Sequence, residues 1–64
     1  MAPEQLRKIR QATGLSQARF ARALGYVDRD AYRKYESGSR PIPLLLSRLA
    51  FMIERYGLPP DWIE

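Results

Sequence analysis

Apolar residues recur along this chain at three- and four-residue steps, and glycine or proline interrupts them at short intervals. Leu6, Ile9 and Ala12 share one helical face. Pro3 suits the first position of a helix, Glu4 its first turn and Gly14 its C-terminal cap, which predicts a helix over 3–12. Ser16 is a good N-cap, and Phe20, Ala21 and Leu24 form the apolar stripe of a second helix that Gly25 ends. Asp28 is the next N-cap. A third helix over 29–36 then turns Ala31, Tyr32 and Tyr35 inward, with Gly38 beyond its end. In Arg40-Pro41-Ile42-Pro43 each proline pushes its predecessor out of the helical region, so this is an extended connector. A fourth helix runs from near Pro43 to Tyr56 and stops before Gly57, and Pro59-Pro60 prevents its continuation into Asp61-Trp62-Ile63-Glu64. No stretch alternates with a strand period, and there is no internal repeat. The prediction is an all-α, compact four-helix domain over 1–57 and a tail over 58–64 that serves packing or a dimer contact.

The fourth helix carries more apolar surface than one core needs. Ile42, Leu46, Leu49, Ile53 and Tyr56 form the predicted core stripe, yet Leu44, Leu45, Phe51 and Met52 lie off it. Within the helix only Ser47, Arg48, Glu54 and Arg55 are polar. A helix apolar nearly all round needs a second surface to bury against. Leu58, Trp62 and Ile63 of the tail could supply it, as could the same surface of a second copy across a twofold axis. The favoured reading is a homodimer through Leu45, Phe51, Met52, Trp62 and Ile63.

Composition narrows the chemistry. A 64-residue chain supports one small domain, which buries only roughly 60% of its unfolded surface. It holds no Cys and no His, so disulfides, thiolate metal sites, the usual zinc ligands and Ser–His–Asp triads are excluded. No metal or cofactor is expected, and a binding module is a better starting point than an enzyme. The 45% hydrophobic and 28% charged fractions fit a soluble globular domain. No apolar run approaches the roughly 20 residues of a membrane span, and Met1-Ala2-Pro3-Glu4 lacks an apolar signal core. The expected location is cytoplasmic and nucleoid-associated.

Net charge is +4, and it is unevenly placed. Residues 7–40 carry nine bases against three acids, a net +6, while each flank is slightly acidic. A cationic middle fits a polyanionic partner, and it also fits a merely solvated basic surface.

The motif decides between them. In Ser16-Gln17-Ala18-Arg19-Phe20-Ala21-Arg22-Ala23-Leu24-Gly25, Ala21 is small enough for a second helix to cross closely, and Gly25 can take the positive φ of a sharp reversal. Val27 and Tyr32 fill the angle, giving a helix-turn-helix. With Leu6, Ile9-Arg10, Gly14-Leu15, Tyr35-Glu36-Ser37-Gly38, Arg40 and the apolar fourth helix, the chain resembles the lambda-repressor/Cro-like (XRE-type) helix-turn-helix family over roughly residues 4–56. One departure stands out. The family places its glutamate ten residues after the turn glycine, whereas Glu36 is eleven after Gly25. The extra residue is placed in the turn at or near Tyr26, where it would lengthen the turn and rotate the recognition helix slightly.

The resemblance implies sequence-specific binding of double-stranded DNA by a transcription regulator, most simply a repressor occupying a pseudo-palindromic operator. Helix 29–36 would lie in the major groove, presenting Asp28, Arg29, Asp30 and Arg33. Arg29 and Arg33 are the expected base readers, since Arg pairs bidentately with guanine. Asp28 competes as an N-cap, and Asp30 either accepts from cytosine or, as favoured here, stabilises the helix start. Gln17 is expected to contact a phosphate together with its helix's first N–H groups, and Arg19, Lys34 and Arg40 are further phosphate clamps. Arg22 reads as a solvated charge. The family pairs the positions of Arg10 and Glu36 as a partly buried ion pair joining helices 1 and 3. Phe20, Tyr32 and Tyr35 are read as core, and Tyr26 either follows the DNA backbone or covers the core. The alternative function is a protein-interaction module whose fourth helix binds a partner such as a toxin, and the cationic segment argues against it.

Overall fold

Caps at nearly every end fix four helices, α1 (Pro3–Thr13), α2 (Gln17–Ala23), α3 (Arg29–Ser37) and α4 (Leu44–Tyr56), in a computed structural model that describes residues 1–26 and 28–63. The N–H of Ala2 donates to Gln5 Oε1 at 2.9 Å where α1 begins, and Gly14 closes that helix. Ser16 Oγ accepts the N–H of Arg19 at 3.2 Å, and Asp28 Oδ1 accepts the N–H of Asp30 at 2.9 Å, so each caps its helix. Pro43 opens α4, Gly57 ends it, and a 3-10 turn over Pro60–Ile63 follows. Among the described residues there is no strand.

One core holds the helices together. Leu6 and Ile9 of α1, Phe20 and Ala21 of α2, Tyr32 and Tyr35 of α3, and Leu46, Ala50 and Ile53 of α4 are all buried. α1 packs on α3 and α4, and α2 packs on α3. Each fully buried large side chain contributes about 1.5–3 kcal/mol relative to exposure. Ala21 is buried in this core, and the Phe20 and Tyr32 rings of α2 and α3 meet edge-on at 5.8 Å. The reversal between these helices turns on Gly25 at φ 92, after which the N–H of Tyr26 returns to the Ala21 carbonyl at 2.8 Å. Tyr26 covers the core, with its ring 6.3 Å from that of Tyr32 and 5.9 Å from that of Tyr35. Val27, expected to help fill the angle, lies outside the described residues.

Two expectations about apolar stripes fail. Ala12 is exposed instead of joining Leu6 and Ile9. Tyr56 is 74% exposed instead of ending the core stripe of α4. At 100° per residue Leu46, Ala50 and Ile53 share a narrow arc facing α1, and Tyr56 falls about 60° outside it. Ala50 and Ser47 take the buried places that the larger residues were expected to fill. The surplus apolar surface of α4 remains open. Leu44, Leu45, Phe51 and Met52 are exposed, and the tail turn instead approaches α2 and sends Ile63 toward Lys8, Ala12 and Ile53.

Candidate nucleic-acid interface

The orientation of α3 rests on one carboxylate. Glu36 faces inward, with its side chain only 3% exposed, and a buried charge requires partners. Arg10 supplies them from α1, with Nε donating to Oε2 at 2.8 Å and Nη2 to Oε1 at 3.2 Å. Gln17 Nε2 donates to Oε1 at 3.1 Å from α2, and the Tyr32 hydroxyl donates to Oε2 at 2.6 Å. The remaining Arg10 nitrogen, Nη1, donates to the Leu15 carbonyl at 3.0 Å in the turn between α1 and α2. One acid therefore ties α1, α2 and α3 into a fixed arrangement. Burial pushes the Glu36 carboxyl up, but the hydrogen bonds from Arg10, Tyr32 and Gln17 and the Arg10 charge outweigh it and hold the group below the ordinary glutamate value. Burial and the bond to Glu36 raise the Tyr32 hydroxyl far above the usual tyrosine range.

With Tyr32, Tyr35 and Glu36 turned in, the helical period turns Asp30, Arg33 and Lys34 out; Arg29 lies about 20° from Glu36 by that period and is exposed as the first residue of α3, so all four are exposed. Asp28 spends its carboxylate on the cap. Asp30 lies 3.5 Å from Arg33 Nη2 in an exposed pair, which is worth roughly 0–1 kcal/mol and leaves Arg33 readily released. Gln17 sits half-buried against Glu36, with a second amide hydrogen beyond the one it gives that carboxylate. Arg33, Gln17, Ser37 and Arg7 line a shallow cleft of about 290 Å³ between α1 and α3. Arg19 is exposed on α2, and Arg40 is exposed in the connector, its N–H reaching back to the Lys34 carbonyl at 3.3 Å. The expected residues thus divide between the outer face of α3 and its flanks. Arg7 was not singled out by the sequence, since its period on α1 marks only an exposed position; its neighbours become visible only once Glu36 has drawn α1 and α3 together.

A helix-turn-helix domain model matches residues 4–64. The chain belongs to the helix-turn-helix domain family. This agrees with its lambda-repressor/Cro-like resemblance and points to DNA as the partner. Helix-turn-helix domains are typically non-enzymatic. No curated protein and no solved structure matches the chain. Among the described residues no helix is long and apolar enough to cross a membrane.

Proposed function

We propose that this helix-turn-helix protein binds double-stranded DNA sequence-specifically and regulates transcription, most simply as a repressor that blocks polymerase at its operator. The observation that carries this reading is the set of exposed bases Arg29, Arg33 and Lys34 on a helix that Glu36 locks to both α1 and α2. Placed in the major groove, α3 would bring Arg29 and Arg33 to guanine edges, while Gln17, Arg19, Lys34 and Arg40 meet phosphates. Asp28 serves as a cap, and Asp30 holds the helix start and Arg33. Residues 1–57 form the DNA-binding domain, and 58–64 serve packing or subunit contact.

The molecule is 29 Å along its longest axis, shorter than the roughly 34–36 Å between half-sites one helical turn apart, so a single copy covers one half-site. A homodimer through α4 and the tail would reach both. The exposed Leu45, Phe51, Met52, Trp62 and Ile63 support it, since several large apolar side chains left wet on one small domain mark an interaction surface.

The test is DNA affinity titrated against salt, with sedimentation in parallel. Several phosphate contacts predict a steep linear fall of log K against log salt, and the apolar surface of α4 and the tail predicts a twofold species at high micromolar protein. Salt-insensitive or absent DNA binding refutes the function, and a clean monomer refutes the dimer.

A further inference from the structure

We propose that Arg22 binds a backbone phosphate of DNA in the cleft between α2 and the start of α3. This rests on the DNA-binding reading above. The cleft has a volume of about 490 Å³ and is lined by Ala18, Arg22, Gly25, Tyr26 and Arg29. Its shape follows from its residues. Ala18 and Arg22 stand one helical turn apart on the same face of α2. Ala18 offers only a methyl group, and Gly25 offers bare backbone with open space within 4 Å of where a Cβ would stand. The tyrosine ring is held back by Tyr32 and Tyr35. The floor is therefore clear, and two guanidinium-bearing side chains form the walls.

Charge selects the occupant. None of the five lining residues is acidic. Among the described residues Arg10 pairs with Glu36 and Arg33 with Asp30, while neither Arg22 nor Arg29 joins an ion pair. Two guanidinium groups on one cleft, neither paired among the described residues, repel each other and raise its potential, and an anion between them relieves both effects. A phosphate suits the planar, multiply donating guanidinium well. A phosphate seated there lies beside the first turn of α3, on the approach to the bases that Arg29 faces. Arg22 is then the phosphate ligand, and Arg29 keeps the cleft cationic while its own tip goes to a base edge. The solvated role read for Arg22 from the sequence gives way to a binding one.

The experiment is a salt titration of the wild type, Arg22→Gln and Arg22→Lys on a duplex selected from random DNA and on an unrelated duplex. Arg22 is exposed, so both variants should keep the wild-type urea midpoint. Loss of one phosphate contact lowers the slope of log K against log salt by about 0.9, so that between 50 and 200 mM salt the wild type loses roughly 3.5-fold more affinity than Arg22→Gln. The variant should weaken binding equally on both duplexes, and Arg22→Lys should keep most of the slope. An unchanged slope in Arg22→Gln overturns the proposal while leaving the wider DNA reading standing. Absence of salt-steep binding by the wild type overturns both. In a second arm, inorganic phosphate is titrated into the free protein and followed by amide NMR. Shifts at Gly25 that vanish in Arg22→Gln, combined with an unchanged DNA slope, would mean that the seat serves a free phosphate compound and would overturn the DNA assignment. Shifts combined with a reduced slope support it.

Discussion

Replacing Glu36 by Ala should do more damage than any other exchange of a charged residue. The substitution removes the acceptor of four hydrogen bonds and leaves Arg10, whose side chain is 14% exposed, without a counter-charge. Removing one member of a buried ion pair typically costs about 3–5 kcal/mol. The Tyr32 hydroxyl, also buried, loses its partner, but these contributions share one carboxylate and do not add. For a chain of this length total stability is on the order of 3–10 kcal/mol, so Glu36→Ala takes away a large part of it. At about 4–8 °C per kcal/mol in small domains, the melting temperature should fall by at least ~12 °C. Urea denaturation followed by circular dichroism measures this directly. The double variant Arg10→Met, Glu36→Leu removes both charges and should be more stable than Glu36→Ala by about 1–2 kcal/mol, since the stranded guanidinium is gone. A loss under ~1 kcal/mol for Glu36→Ala, or a double variant no better than the single one, would refute the claim that this carboxylate locks the three helices.

The same group sets an acid limit. Its carboxyl is held below the ordinary value, so its stabilisation is complete above the unfolded pKa of roughly 4.3 and disappears as pH falls through the lower folded pKa; the melting temperature should hold down to about pH 5, drop below pH 4, and lose part of that drop in Glu36→Gln. An identical acid limb in that variant counts against it. Gly25→Ala should cost about 1–2 kcal/mol from the positive φ alone, because a Cβ there meets no atom within 4 Å, and Gly25→Asn should cost less. A urea midpoint unchanged from wild type in Gly25→Ala would contradict a left-handed turn.

Much of the fold could be read locally. Ser16, Asp28, Gly14 and Gly38 sit at helix ends because their side chains or their freedom at positive φ satisfy terminal backbone groups, and such needs are written in adjacent residues. The Arg10–Glu36 pair was legible only through family resemblance, since 26 residues separate the partners. Gln17 has a partner that this route did not name. Its position suggested a phosphate contact, and the structure places its amide on Glu36, because the carboxylate has lone pairs left over after Arg10 and Tyr32. Tyr56 and Ala12 were misjudged because helical periodicity states which residues share a face but not how far the neighbouring helices extend to cover it. The clefts holding Arg7 and Arg22 are products of tertiary packing, and nothing in the spacing of single residues announces them.

Selection of binding sites from random duplex DNA, run side by side on wild type, Arg29→Ala and Arg33→Ala, tests the outward face of α3 most directly. The account predicts a defined half-site for the wild type. Each variant should lose about 1–3 kcal/mol on it and relax preference at one base position, without a change in urea midpoint. Variants that select the same half-site as the wild type with equal affinity would contradict the assignment of α3 as the reading helix.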